Sequence, residues 1–452
     1  MHFRLAGLWL ATLAIAITLG DAAQAAGTRI TSAQIDAAAK AVEPKTIEWR
    51  RDFHAHPELS NREVRTAEQI AKRLGALGME VKTGVGVTGV VGLLRGGQPG
   101  RTVGLRADMD ALPVTEKTNV PFKSTATAQF RGETVGVMHA CGHDSHVAIL
   151  LSVAEILAGM RQQLAGQVLF VFQPAEEGPP EGERGGALLM LEQGAFKLAK
   201  PDVMYGLHVM ASLPTGVIGY RSGPFMASAD SFTLVVKGLQ THGSRPWGGV
   251  DPIVTASQIV LGLQTIVSRQ IDITAIPAVI TVGAIKGGIR FNIIPDEVQM
   301  IGTVRTFSAD VRNDIVRRMQ TTASSIAAAS GATASVRFKD LSKPASAEEV
   351  SVPTVINDAA VTAAALPVFE RLVGKANVRE VSLQTTADDY SVFAQQAPSL
   401  YFWIGITPRD RDPLKVAFNH SPEFYLDEAG MITGVRALLT LTTEYLQGSV
   451  TE

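Results

Sequence analysis

Hydrophobic positions in the first half of the chain fall into short unbroken runs at residues 87–94, 102–107, 167–173 and 203–207. Each run is bounded by glycine or polar residues and is too short for an ordinary helix, so the pattern predicts buried strands. Between the runs the period changes. Ala67, Ile70, Ala71 and Leu74 recur at helical spacing behind Ser60-Asn61-Arg62-Glu63, which reads as a capping box, and Val147, Leu150, Leu151, Ala154, Ile156 and Leu157 mark another helix. Residues 26–56 read as one short helix followed by a second.

From about Ser228 the pattern resets to a strand at 232–237, a helix at 251–270, strands at 278–285 and 297–304, a helix at 309–329 and a strand at 334–338. This β-α-β-β-α-β order is that of a ferredoxin-like split unit of the right size for an inserted domain. Pro344 and Pro353 flank a polar connector back, and a helix at 355–373, a strand at 399–404 and a helix at 427–446 complete the chain. The expected fold class is therefore α/β, a mixed sheet with helices on both faces. Residues 26–227 and 343–452 form it, and 228–342 form the inserted α+β unit.

Composition narrows the function. Of 452 residues, 46% are hydrophobic and 19% charged, and the net charge of -2 offers no electrostatic case for nucleic acid. Arg4 precedes an apolar run from Leu5 to Leu19, and Ala23-Gln24-Ala25 places small residues where a signal peptidase reads. Residues 1–25 are expected to be a bacterial signal peptide, which implies a periplasmic or secreted protein. The run is shorter than the ~20 apolar residues of a spanning helix, and no later segment suits a membrane.

Candidate chemistry centres on residues 137–146, which hold the single cysteine and three of the nine histidines. Cys141 and His143, two apart across Gly142, suit a borderline divalent metal, although a lone cysteine is also often a small buried hydrophobe. Exported proteins use cysteines in pairs, so an unpartnered one favours a functional thiol. Three strands also deliver polar groups at their ends: Asp108 and Asp110 after the second, Glu176 and Glu177 after the third, and His208 after the fourth. Open α/β sheets place their sites at those ends. With His420, the candidate ligands Cys141, His143, Glu177, His208 and His420 exceed the four of one tetrahedral ion, so two ions sharing the set are expected. Glu176 is left beside them as a general base, and amide hydrolysis is the reaction class that follows.

Residues 51–59, 105–113, 138–146, 173–178, 206–209, 291–295 and 419–422 together resemble, in order, the motifs of the M20 metallopeptidase family. The resemblance is to its N-acyl-amino-acid amidohydrolases, a branch that includes hippurate hydrolases, acetyldiaminopimelate deacetylases and plant auxin-conjugate hydrolases. It implies the same five ligands, Glu176 as base and Asp110 orienting a ligand. It further implies that the inserted domain is a lid and dimerisation domain, that His242 reaches the scissile carbonyl, commonly in the partner's site, and that Asn292 and Arg305 hold the substrate carboxylate. From the residues alone, His242 is a surface loop histidine, whereas Arg305 suits a carboxylate but equally an ion pair with Asp296 or Glu297. Two departures touch the pocket: Trp247 follows Pro246 where the family often has histidine, and Thr386-Ala387-Asp388-Asp389-Tyr390 replaces the usual Gly-Ser-Glu-Asp-Phe. His54, His56 and His146 are expected to be structural and His139 to support the turn.

The expected function is hydrolysis of an N-acyl (acetyl, benzoyl or similar) amino acid by a homodimer carrying two zinc, manganese, cobalt or nickel ions per subunit. A dipeptidase or carboxypeptidase with the same metals is the near alternative. A non-catalytic binding domain would lack Glu176 or a ligand, and an enzyme with Cys141 as nucleophile beside a histidine would show inhibition by alkylating agents that survives metal replacement.

Overall fold

The computed structural model describes residues 29–338 and 351–448, so the expected signal peptide, the junction at 342–343 and Pro344 lie outside the described residues. Helix α1 (Ser32–Ala55) is one continuous helix rather than two, with Pro44 inside it. Its buried residues Ile35, Ala39, Val42, Thr46, Trp49 and Phe53 form a stripe that passes through Pro44 without a break, and packing along that stripe outweighs the local breaker. The capping box expected before α2 (Val64–Ala76) does not form: Glu63 is the N-cap but its side chain makes no capping bond. Glu58 caps instead, accepting from the backbone N–H of Arg65 at 3.0 Å and Thr66 at 2.8 Å. Strands β1 (Glu80–Val85), β2 (Gly89–Arg95) and β3 (Gln98–Asp108) follow, then α3 (His143–Gly159), β4 (Ala165–Gln173), β5 (Val203–Pro214) and β6 (Ile218–Tyr220).

The inserted unit comprises β7 (Ala229–Lys237), α4 (Pro252–Gln270), β8 (Ala278–Gly287), β9 (Glu297–Thr306), α5 (Ala309–Ala329) and β10 (Thr333–Phe338). Its strands lie in the order β8-β9-β7-β10, every pair antiparallel, the arrangement of a split βαβ unit. Leu234, Val236, Ile259, Leu263, Met300, Ile315 and Met319 make a core separate from that of the main sheet. The returning chain is pinned at Asp230, whose carboxylate accepts from Arg312 at 2.6 and 2.7 Å and from Ser351 Oγ at 2.8 Å.

The last segment starts with a short strand, Val355–Asn357, where a helix was expected, because these residues pair with Gly223–Met226. Asp358 then caps α6 (Ala359–Val373) by accepting from Val361 N–H at 2.9 Å. Strands β11 (Val378–Glu380) and β12 (Ser399–Thr407) and helix α7 (Met431–Leu446) complete the fold. The main sheet has the order β1-β2-β4-β3-β5-β12-β6-β11, with β4, β3, β5 and β12 parallel in its middle. Helices α1, α2, α3, α6 and α7 cover one face, and the short helices Gly186–Glu192 and Tyr390–Ala394 pack on the other. Strand β5 runs on past His208 to Pro214 because β12 pairs with it as far as Thr407, so His208 is in mid-strand rather than at a strand end. Among the described residues no helix is long and apolar enough to cross a membrane.

Two substitutions test this packing in urea unfolding. A Cβ at Gly405 would lie 2.0 Å from Pro214 O across the β5–β12 ladder. Gly405→Ala is therefore expected to destabilise by about 1–3 kcal/mol. Asp358→Ala, which removes only a cap, should lower stability by about 1 kcal/mol. Equal midpoints for Gly405→Ala and the unaltered protein would contradict the close contact.

Candidate metal centre

The turn at Gly142 sets the first two ligand candidates. Its φ of 92° suits glycine, and a Cβ there would meet Val209 Cγ2 at 2.3 Å, so no other residue lets β5 approach this closely. His143 is the first residue of α3, and Cys141 is buried beneath it. His420 joins from the loop before α7 with a φ of 73°, its N–H donating to Ala140 O at 2.8 Å. Asn419 ties the segments together, its Nδ2 donating to Cys141 O at 3.1 Å and Val209 O at 3.2 Å.

Five of the sequence-predicted residues meet here. Cys141 Sγ lies 3.3 Å from both His208 Nε2 and His420 Nε2, and His420 Nε2 lies 3.1 Å from Glu177 Oε1. Two donor triads result, Cys141-His143-His208 and Cys141-Glu177-His420, and both use the one thiol. His143 and His208 each turn Nδ1 to a backbone carbonyl, Asp110 O at 2.8 Å and Val209 O at 2.6 Å, which aims Nε2 inward. His143 Nε2 is buried with no hydrogen-bond partner. An orphaned imidazole nitrogen beside a thiol, two further imidazoles and a carboxylate is a donor set that fits borderline divalent cations.

A third grouping, Asp108-His143-His146, shares His143, but its His146 offers no free nitrogen. His146 Nδ1 meets Asp108 Oδ1 at 2.5 Å, and its Nε2 accepts from Val209 N–H at 2.9 Å, so both nitrogens are engaged and the ring braces β5. Asp110 links two ligands: besides holding His143, its Oδ2 accepts from Glu177 N–H at 3.0 Å and Ser60 Oγ at 2.7 Å. Glu176 Oε2 is 3.9 Å from His143 Nε2, and its side chain is 10% exposed.

Charge is concentrated at this edge. Burial opposes protonation of His143, but Asp108 and Asp110 outweigh it and push its pKa up to about 10. Burial, with Glu177 and Glu176 nearby, pushes the Cys141 thiol up, and burial with Asp388 and Glu177 does the same to Glu176. Bound cations reverse such shifts by favouring the deprotonated forms.

Sequence reasoning missed the hub beneath the site. Arg106 is 1% exposed; Nε donates to Gln173 Oε1 at 2.8 Å, Nη1 to Asp108 Oδ2 at 2.6 Å and Nη2 to Asp388 Oδ1 at 3.0 Å. Burial lowers its pKa, and Asp108 and Asp388 more than restore it. Tyr401 donates to Asp388 Oδ2 at 2.6 Å, and Asp389 accepts from Gln173 Nε2 at 2.5 Å and Ala187 N–H at 2.7 Å. The replaced 386–390 block is thus wired to the sheet edge. A charged residue inside the apolar run 102–107 was the available signal.

The remaining predicted residues lie elsewhere. His242 is exposed on a two-residue strand, with Nδ1 accepting from Ser244 N–H at 3.0 Å. That strand pairs with Ile293–Ile294, and Gly243 N–H donates to Asn292 O at 2.8 Å, so His242 and Asn292 sit together on the inserted unit. Arg305 donates to Val304 O at 3.1 Å and to Thr303, and none of the three hydrogen-bonds to the Cys141 cluster. His54 is structural, with Nδ1 2.8 Å from Asp144 Oδ2 and Nε2 3.2 Å from Glu116 Oε1, and His56 bonds Asp52 O at 2.8 Å. The His139 ring, buried and pushed down to about 4 by that burial, makes no hydrogen bond, so any support it gives the turn is by packing.

The family model for "Peptidase family M20/M25/M40" matches residues 104–444. The chain is 39% identical to "Thermostable carboxypeptidase 1" of Saccharolobus solfataricus over 405 residues, 89% of this chain and 96% of that one. It is 36% identical to "N-acetylcysteine deacetylase" of Bacillus subtilis over 393 residues, 87% of this chain and 94% of that one. A Bacillus subtilis structure described as "a Dinuclear Metal Binding Peptidase from M20 Family" superposes with a TM-score of 0.73 at 33% identity, covering 90% of this chain and 99% of that one.

The hub predicts a graded response in urea unfolding. Arg106→Met leaves buried carboxylates without their cation and should destabilise by about 3–5 kcal/mol. Arg106→Lys keeps the charge but not the five-donor fork, so its midpoint should fall between that variant and the unaltered protein. Equal loss in both variants would mean that fork geometry, not charge, is what matters.

Proposed function

The chain belongs to peptidase family M20/M25/M40, and from that premise we propose that it hydrolyses the amide bond of N-acyl amino acids with two divalent ions and Glu176 as base. The observation that carries this is the pair of donor triads sharing Cys141, with the Glu176 carboxylate beside them and outside both. Cys141, His143 and His208 would hold one ion and Cys141, Glu177 and His420 the other. Such a pair supplies an acidified water and polarises the amide carbonyl. Glu176 takes the water's proton and returns it to the leaving nitrogen, a role for which its buried position within reach of the ligands suits it.

The acyl specificity rests on the cavity of about 710 Å³ that opens beside Glu176 and Glu177. Leu59, Leu112, Pro113, Phe130, Val352 and Pro353 give it an apolar side that suits an aliphatic or aromatic acyl group, and Arg62, Glu181, Glu183 and Arg184 line the rest. A second reading, carboxypeptidase action on peptides, is favoured by the 39% identity to a carboxypeptidase, and it uses the same chemistry.

His242, Asn292 and Arg305 are proposed to contact substrate from the inserted lid, with His242 serving the partner's site. Trp247, Ile289 and Phe291, in the segments on either side of that paired strand, are exposed at 77%, 98% and 95%, and β8 is an edge strand. Both features suit contact with a second copy of the chain.

The test is hydrolysis of N-acetyl, N-benzoyl and free-amine dipeptide substrates, alongside metal analysis. Chelation should abolish turnover, and added manganese or zinc should restore it. Glu176→Gln should lower kcat by about 10²–10⁴-fold while metal content stays near two ions per chain. Cleavage of dipeptides alone would transfer the conclusion to the carboxypeptidase reading, and normal turnover by Glu176→Gln would refute the mechanism.

A further inference from the structure

The loop that presents Glu176 is strained. Ala175, directly before it, has a φ of 52°, a left-handed conformation that a residue with a Cβ adopts only when its surroundings hold it there. The outside of the turn is closed by bare backbone: a Cβ on Gly185 would come within 3.0 Å of Ala175 Cβ, and one on Gly186 within 3.2 Å of Ala175 O. On the inside, Ala175 N–H has one partner, Glu63 Oε1 at 2.9 Å.

Glu63 does nothing else that explains a carboxyl there. It is fully buried, makes no capping bond to α2 and, among the described residues, forms no ion pair. Its other oxygen accepts from Thr88 Oγ1 at 2.6 Å. The neighbouring residues of the same segment brace the same region. Ser60 holds Asp110, Asn61 Nδ2 donates to Arg184 O at 3.0 Å, and Arg62 pairs with Glu183. The chain from 60 to 63 is a strut between the Asp110 support of His143 and the turn that carries Glu176 and Glu177.

We propose that Glu63 is a positioning residue for the reaction, its carboxyl clamping the Ala175 N–H so that the left-handed turn aims Glu176 at the metal pair. This rests on Glu176 being the base. Glutamine is a close mimic, since its Oε1 can accept from Ala175 N–H while its Nε2 donates to Thr88 Oγ1.

The experiment compares the unaltered protein with Glu63→Gln, Glu63→Ala, Glu63→Ala/Ala175→Gly and Thr88→Val. It measures kcat and KM on an N-acyl amino acid at saturating manganese or zinc, bound metal, and amide exchange of the peptide spanning 172–178 in metal-free protein. Glu63→Ala should lower kcat by about 10–100-fold with KM changed less than about threefold, and exchange at the turn should quicken. Glu63→Gln should hold kcat within about threefold of the unaltered protein. Ala175→Gly should recover at least about fivefold of the loss, because glycine takes a positive φ without a clamp. Thr88→Val leaves the Ala175 bond in place and should retain kcat. Unchanged kcat and exchange in Glu63→Ala, a Gln variant as impaired as the Ala variant, or no recovery with Ala175→Gly would overturn the proposal. If Glu63→Ala does not fold, the double variant decides: recovery of folding and of kcat by Ala175→Gly supports the clamp, and a double variant that still does not fold overturns it. If the unaltered protein cleaves no acylated amino acid with either metal, the N-acyl reading fails, and the exchange rates still decide whether Glu63 holds the turn.

Discussion

Arg106 is the interaction on which the catalytic edge of the sheet depends. The parallel strands β4 and β3, with the loop before Tyr390, bring Asp108, Asp388, Asp389 and Gln173 into a region that water hardly reaches. Carboxylates cannot share such a space without a cation, because desolvation and mutual repulsion both oppose their charged forms. One guanidinium, with five donors in a rigid fork, meets the two aspartates and the glutamine at once. Lysine would supply the charge and not the geometry.

What Arg106 fixes is handed on toward the ligands. Asp108, held by Arg106, orients His146, and His146 holds Val209 N–H next to His208. Asp110, two residues further along, anchors His143 through its carbonyl and Glu177 through its carboxylate. The donor set therefore does not rest on its own side chains alone. Each imidazole or carboxylate is aimed by a neighbour on the same sheet edge, which is how a site keeps its shape before a metal is bound.

Backbone strain occurs at the site, as it also does at Asn61, Val87 and Arg131 among the described residues. The non-glycine residues with positive φ include Ala175, just before the proposed base, and His420, a ligand candidate. Each is held by a hydrogen bond that its own N–H donates, to Glu63 Oε1 and to the carbonyl of Ala140 respectively. Turns in this conformation bring short side chains to bear on a small volume, and the surrounding packing must hold them there.

Much of this was legible in the sequence, because it depended on local pattern. Short apolar runs marked the central strands, helical spacing marked α3 and α7, and the β-α-β-β-α-β order marked the inserted unit. Cys141, His143, Glu177, His208 and His420 were identifiable from residue type and their places beside turns and apolar runs, and the structure brings all five together. The failures came where long-range contacts overrode local signals. Residues 26–56 looked like two helices until the buried stripe of α1 ran unbroken through Pro44, and Ser60 to Glu63 looked like a cap until Glu63 turned inward to Ala175. Strand β5 looked as if it ended at His208, and pairing with β12 carried it on to Pro214. The role of Arg106 and the pairing of His242 with Asn292 were decided only by tertiary structure. A charge in an apolar run says that a partner must exist, but partners 282 residues away, such as Asp388, are set by how the sheet assembles.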